Sequence, residues 1–188
     1  TIGENTVVLT VTDVNGNSTT GEATITVEDN IAPTVITQNV TVQLDETGTA
    51  SITVADIDNG SSDNCEVASM ELDLTTFDCT NIGENTVTLT VTDVNGNTAS
   101  GNAIVTVEET TAPTVLTQNI TVQIDADGVA SITTADIDNG SSDNCEVESI
   151  ALDITSFDCS TIGENTVVLT VTDVNGNSAS AAAIVTVE

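Results

Sequence analysis

The sequence predicts an all-β fold: tandem immunoglobulin-like antiparallel β-sandwich repeats of 80 residues. Three observations carry this. The first is an internal repeat without insertions. IGENTV begins at Ile2, Ile82 and Ile162, VTDVNGN at Val11, Val91 and Val171, and DNGSSDNCEV at Asp58 and Asp138. Aligning 29–108 with 109–188 gives 59 identities in 80. Such self-similarity is the signature of a repeat architecture. The second is a period-two alternation of apolar and polar residues, which marks half-buried strands. The third is composition: Thr, Val and Ile are abundant, with 36 Thr in 188 residues, and β-branched side chains favour strands over helices.

The repeat divides the chain into residues 1–28, the C-terminal part of a first repeat, then complete repeats at 29–108 and 109–188. The sequence therefore reads as an excerpt of something longer. Each repeat junction carries a proline, Pro33 or Pro113, which fixes the start of a first edge strand. Val40, Val42 and Leu44 then alternate with Thr41 and Gln43 before the turn Asp45-Glu46-Thr47-Gly48. Ala50, Ile52 and Val54 form the next apolar face, followed by Met70, Leu72 and Leu74, with Phe77 behind them. Val87, Leu89 and Val91 alternate with threonines, Asn95-Gly96 makes a hairpin turn, and Ala103, Val105 and Val107 end the unit. About seven short strands, with a turn every 8–12 residues, make a sandwich with no helix required. The linkers contain no Gly or Ser, so the repeats should form a semi-rigid string.

Charge excludes much of biochemistry. The chain has 30 Asp plus Glu and no Lys, Arg or His. A net charge of −30 repels phosphate backbones and anionic lipid, which argues against nucleic acid and direct membrane insertion. No imidazole base, Schiff-base amine or catalytic triad can be assembled, and the expectation is that the chain is not an enzyme. Aromatics are limited to Phe77 and Phe157, so there is no Trp or Tyr platform for a sugar.

The four cysteines fall as Cys65 and Cys79 in one repeat and Cys145 and Cys159 in the next. The simplest expectation is one disulfide inside each repeat, closing a loop of about 15 residues and worth roughly 3 kcal/mol in the chain-entropy model. Disulfides imply an oxidising, extracellular setting.

The acidic loops are the second constellation. In a seven-strand sandwich the loop after the second strand and the loop between the last two strands lie at the same end, which also receives the incoming linker. Asp56, Asp58, Asp63, Asp93 and Asn95 are therefore expected near Asp29. Asp136, Asp138, Asp143, Asp173 and Asn175 are expected near Glu109. Hard oxygen ligands in that number, with no basic residue to neutralise them, suit Ca²⁺. The loops do not fit an EF-hand, since Ser61 stands where that loop needs glycine. Asp-Asn-Gly and Asn-Gly are also ordinary turn chemistry, and Asp93 to Asn97 taken alone reads as a plain hairpin turn rather than a ligand set.

The unit that begins Ala32-Pro33-Thr34-Val35, passes through Asp63-Asn64-Cys65 and ends Val91-Thr92-Asp93-Val94-Asn95-Gly96-Asn97 resembles the hyalin repeat (HYR) family. The resemblance covers both full repeats and the C-terminal part of the first. It departs at Glu66 and Glu146, where the family commonly has Gly. Hyalin repeats are immunoglobulin-like modules of extracellular adhesion proteins, and long arrays of this kind resemble the giant secreted adhesins of Bacteroidota, including flavobacterial gliding adhesins. The resemblance implies a structural stalk segment at the cell surface, whose partners are neighbouring repeats of the same chain and, beyond them, surface polysaccharide or other adhesin components. The rival expectation is a calcium-dependent module that binds carbohydrate or protein. A polymerising subunit is the third.

Overall fold

The computed structural model describes residues 1–188. A hairpin of β1 (Gly3–Thr12) and β2 (Ser18–Val27) comes first. The first full repeat contains β3 (Val40–Gln43), β4 (Thr49–Ser51), a one-turn helix α1 (Val54–Ile57), β5 (Val67–Leu72), β6 (Thr76–Asp78), β7 (Gly83–Asp93) and β8 (Thr98–Glu108). The second contains β9 (Ile120–Val122), β10 (Val129–Ser131), a one-turn helix α2 (Thr134–Ile137), β11 (Val147–Leu152), β12 (Ser156–Asp158), β13 (Gly163–Asp173) and β14 (Ser178–Val187). A 3₁₀ turn follows β6 at Cys79–Asn81 and β12 at Cys159–Thr161.

Each full repeat contains a four-stranded and a two-stranded sheet, and in the second repeat the two form a sandwich. The strand orders are β3-β8-β7-β5 with β4-β6, and β9-β14-β13-β11 with β10-β12. The alternation in the sequence sets which face is inside. Along β13 every second residue from Val167 to Asp173 is buried, while the intervening positions are only partly so. Ile132 and Phe157 of the small-sheet side pack with Val167, Leu169, Val171, Ala183, Val185 and Val187 of the large sheet as one core. Burial of each such side chain is worth about 1.5–3 kcal/mol.

Six strands form in each repeat, not seven. The stretch after the proline makes only isolated bridges, Thr34 with Ser62 and Thr37 with Asp58. The sandwich is also not wholly antiparallel: β3 runs parallel to β8, and β9 to β14. Partners separated by some 60 residues are free of the hairpin constraint that forces neighbouring strands antiparallel. Nor is the chain helix-free. Val54, expected on a strand, opens α1, because Thr53 and Asp56 form a reciprocal capping box that starts a turn.

The chain forms two compact units. The first comprises Thr1–Gln38, Thr53–Leu74 and Thr86–Ala103; the second comprises Asn39–Ile52, Thr75–Asn85 and Ile104–Glu188. In the first unit Ile57, Val87, Leu89, Val91 and Ala103 are buried. β1 has the sequence of residues 83–92 of β7 at nine of ten positions, yet Val7, Leu9 and Val11 are exposed. The second unit joins the β3–β4 turn and the β6 end of one repeat to the whole of the next.

That unit holds a disulfide the sequence reading did not anticipate. Cys79 is bonded to Cys145, with their Cα atoms 5.6 Å apart, and Cys65 and Cys159 are free and exposed. The expected pairs inside each repeat, Cys65 with Cys79 and Cys145 with Cys159, do not form. Strand register gives the reason. Cys145 lies two residues before Val147, which pairs with Asp173 at the far end of β13. Cys159 lies four residues before Gly163, where β13 begins. The two cysteines thus sit at opposite ends of an eleven-residue strand, roughly 30 Å long at ~3.3 Å per residue. A disulfide requires Cα atoms within about 7 Å.

Candidate metal centre at the repeat junctions

In the second unit Glu109, Asp143 and Asp173 converge, with one carboxylate oxygen of each lying within 4.8 Å of the others. Glu109 belongs to the incoming linker, Asp143 to the loop between α2 and β11, and Asp173 to the last position of β13. Glu109 is 7% and Asp173 0% exposed. Carboxylates this enclosed are costly without a partner. Asn177 supplies part of the compensation: its Nδ2 donates to Glu109 Oε2 at 2.7 Å and to Asp173 Oδ2 at 2.8 Å. The other Asp173 oxygen, Oδ1, accepts from the backbone N–H of Asn175 and of Asn177, both at 2.8 Å. Asp143 Oδ2 accepts from Cys145 N–H at 2.9 Å. Two enclosed oxygens, Asp143 Oδ1 and Asn144 Oδ1, have no hydrogen-bond partner.

The first unit repeats the arrangement with a shorter linker acid. Asp29, Asp63 and Cys65 lie within 4.8 Å of one another. Asp29 Oδ2 and Asp63 Oδ1 are enclosed and unpartnered. Asn97 donates to Asp93 Oδ2 at 2.7 Å, as Asn177 does to Asp173, but its second contact is the backbone oxygen of Asp29 at 3.2 Å. A hydrogen bond to the Asp29 carboxylate, together with burial and nearby acids, pushes the Cys65 thiol above its ordinary range.

Of the positions predicted from sequence, Glu109, Asp143 and Asp173 come together in the second unit and Asp29 and Asp63 in the first, where Cys65 takes the third place and Asp93 meets the linker only through Asn97. The other predicted ligands have local duties. Asp56 Oδ2 accepts from both the N–H and the hydroxyl of Thr53, capping α1, and Asp136 does the same with Thr133. Asp58 Oδ1 accepts from Ser61 N–H at 2.9 Å, and Asp138 serves Ser141 likewise. Asn95 and Asn175 contribute backbone N–H groups to Asp93 and Asp173. The sequence reading missed Asn97 and Asn177 as site residues. Their signal was the Asp-x-x-x-Asn spacing, which lets one side chain fold back on the carboxylate four residues earlier.

Hydrogen bonding also sets the ionisation of these groups. Burial pushes Asp173 and Asp93 up, but donation from the side chains and backbone of Asn177 and Asn97 outweighs it and holds both below 3.8. Hydrogen bonds from Thr53 lower Asp56, and those from Ser61 lower Asp58. A carboxyl whose folded pKa is depressed contributes stability that is present above its unfolded value and lost as pH falls through the folded one. In chelator, the melting temperature is therefore expected to hold steady down to about pH 4 and to fall below it. Thermal scans between pH 6 and 2.5 check this, and a melting temperature rising through the same range would contradict it.

No protein-family model and no curated protein matches the chain. Solved structures similar to it are cadherin ectodomain repeats. Drosophila N-cadherin EC1-4 aligns at 14% identity with a TM-score of 0.45, covering 99% of this chain and 58% of that one. Protocadherin gammaB7 EC3-6, in a cis-dimer structure, aligns at 18% identity and TM-score 0.39, covering 100% and 58%. Mouse clustered PcdhgC3 EC1-3 aligns at 14% and 0.38, covering 100% and 78%. The chain spans little more than half the length of the first two. No helix is long and apolar enough to cross a membrane.

Proposed function

We propose that the chain is a structural segment of an extracellular repeat adhesin, in which repeats 29–108 and 109–188 are successive modules and each junction between repeats binds Ca²⁺. The observation that carries the calcium reading is the convergence of Glu109, Asp143 and Asp173, with Asp143 Oδ1 enclosed and without a partner. The donor set is hard oxygen, which suits calcium and does not suit a soft metal. Glu109, Asp143 and Asp173 would hold the ion. Bound Ca²⁺ would offset the mutual repulsion of the carboxylates and tie linker to loop to strand end. In the first unit Asp29 and Asp63 would do the same.

The structural role is supported by the near-identity of the repeats and by the absence of any repeat-specific loop. Every unit presents the same hydroxyl-rich acidic surface, which serves length better than selective recognition. The hyalin-repeat resemblance extends this to a stalk at the cell surface, supporting adhesion or gliding, with the binding tip elsewhere. Isothermal titration of Ca²⁺ into chelator-stripped protein tests the site. Saturable binding is expected, with one equivalent lost in Asp143→Asn and none in Asp127→Asn, which removes an acid outside the cluster. Absence of saturable heat, or equal loss in both variants, would sink the calcium reading.

A further inference from the structure

The Cys79–Cys145 bond closes a docking site assembled from two short turns. One is the turn Asp45 to Gly48, against which Cys79 lies; the other is Asp143-Asn144-Cys145. Asn144 Nδ2 donates to the backbone oxygen of Asp45 at 2.9 Å. Gly48 has φ +73°, and a Cβ there would stand 2.6 Å from the backbone oxygen of Asn144 and 2.9 Å from Cys79 Sγ. Only glycine permits both that backbone and that approach. The site is therefore shaped to receive an Asp-Asn-Cys turn.

Both halves recur with their thiols free. Gly128, φ +77°, closes the equivalent turn and has Cys159 Sγ 3.2 Å from its would-be Cβ, with no other atom within 4 Å. Cys159 Sγ lies 3.8 Å from Gly128 O, as Cys79 Sγ lies 3.8 Å from Gly48 O. Gly128 N–H donates to Asp125 O at 3.1 Å, matching the 2.9 Å bond from Gly48 to Asp45. At the other half, Cys65 N–H donates to Asp63 Oδ2 at 2.8 Å, as Cys145 N–H does to Asp143 Oδ2 at 2.9 Å. The Asn64 amide donates to Asp29 Oδ1 and Cys65 Sγ.

We infer that Cys159 and the Gly128 turn form a covalent docking site for the Asp-Asn-Cys turn of a further copy of this repeat, and that Cys65 is the complementary half. Each repeat is then stapled to the next by one disulfide, and no repeat has an internal one. The chemistry needs a disulfide oxidant such as oxidised glutathione. The Cys159 thiol loses its proton to solvent and attacks one glutathione sulfur; that S–S bond breaks and one glutathione leaves. The cysteine of the docked turn, likewise deprotonated, attacks Cys159 Sγ and expels the second glutathione. Two thiols are oxidised and one glutathione disulfide is reduced to two thiols. The staple does not depend on calcium, so its test is run in chelator.

The test is the full chain extended after Glu188 by a second copy of residues 109–188. It is equilibrated in glutathione redox buffers, quenched with acid and mapped by pepsin digestion without reduction. The expected product joins Cys159 to the Asp-Asn-Cys cysteine of the added repeat, leaving Cys65 and the last cysteine free. Its effective concentration, read from the glutathione ratio at half-closure, should exceed by about tenfold or more the value in 8 M urea, where the connection behaves as a flexible linker of roughly millimolar effective concentration. A Cys159 that stays free to alkylation, a bond between two cysteines of one repeat, or equal effective concentrations with and without urea would overturn the inference.

Discussion

Reduction of the Cys79–Cys145 bond is expected to produce the largest loss of stability available without touching the core. The bond joins residues 66 apart in sequence, and closing a loop of that length removes about 4 kcal/mol of unfolded-chain entropy in the loop-closure model. For a protein of this size each kcal/mol is worth roughly 2–4 °C, so the melting temperature should fall by about 10 °C. The double variant Cys79→Ser/Cys145→Ser should melt where the reduced protein melts. Cys65→Ser and Cys159→Ser should change the melting temperature little, because neither thiol is in a disulfide. A reductant that lowers the melting temperature of the double variant as much as that of the parent would contradict the assignment. Chain entropy acts on the unfolded state, so the folded spectrum should change little on reduction.

Calcium is expected to have the second largest effect, through the native state. A ligand that binds only the folded chain stabilises it by about 2.7 kcal/mol at a hundredfold excess over its dissociation constant. That corresponds to a rise in melting temperature of roughly 5–10 °C. The rise should persist at fixed ionic strength, which separates a bound ion from the screening of thirty acids by salt. It should shrink in Asp143→Asn and Asp173→Asn. Asp56→Asn should instead lower the melting temperature equally with and without calcium, because Asp56 caps α1 and belongs to no cluster. An identical calcium response in Asp143→Asn and the parent would remove the linker site from the account.

Much of this was legible in particular residues. The alternation from Val167 to Val171 and from Ala183 to Val187 fixed both strands and their inner face, because a period of two has only one burial solution. The Asn-Gly hairpins followed from turn chemistry. The acids were legible as a group, since linker and strand-end carboxylates converge by topology alone. The division of labour among them was not. Asp56 and Asp58 carry the same chemistry as Asp143, and only the local N–H groups that claim them decide otherwise. Thr53 and Asp56 did announce α1 by their capping spacing, but the apolar alternation of Ala50, Ile52 and Val54 was the louder pattern. The cysteines misled because sequence nearness is a poor guide to spatial nearness in a sandwich. Cys145 and Cys159 are 14 residues apart, yet an entire strand length separates them, whereas Cys79 and Cys145 meet because one repeat ends where the next begins.

That meeting is the centre of the account: the repeat junction, not the repeat, is where the chain is tied. Peptide mapping without reduction tests it most directly, with free thiols alkylated first and digestion by pepsin at acid pH, which suppresses exchange and suits a chain that offers trypsin no Lys or Arg. The account predicts one cross-linked peptide joining Cys79 to Cys145, with Cys65 and Cys159 both recovered alkylated. Recovery of Cys65 joined to Cys79 and Cys145 joined to Cys159 would contradict it.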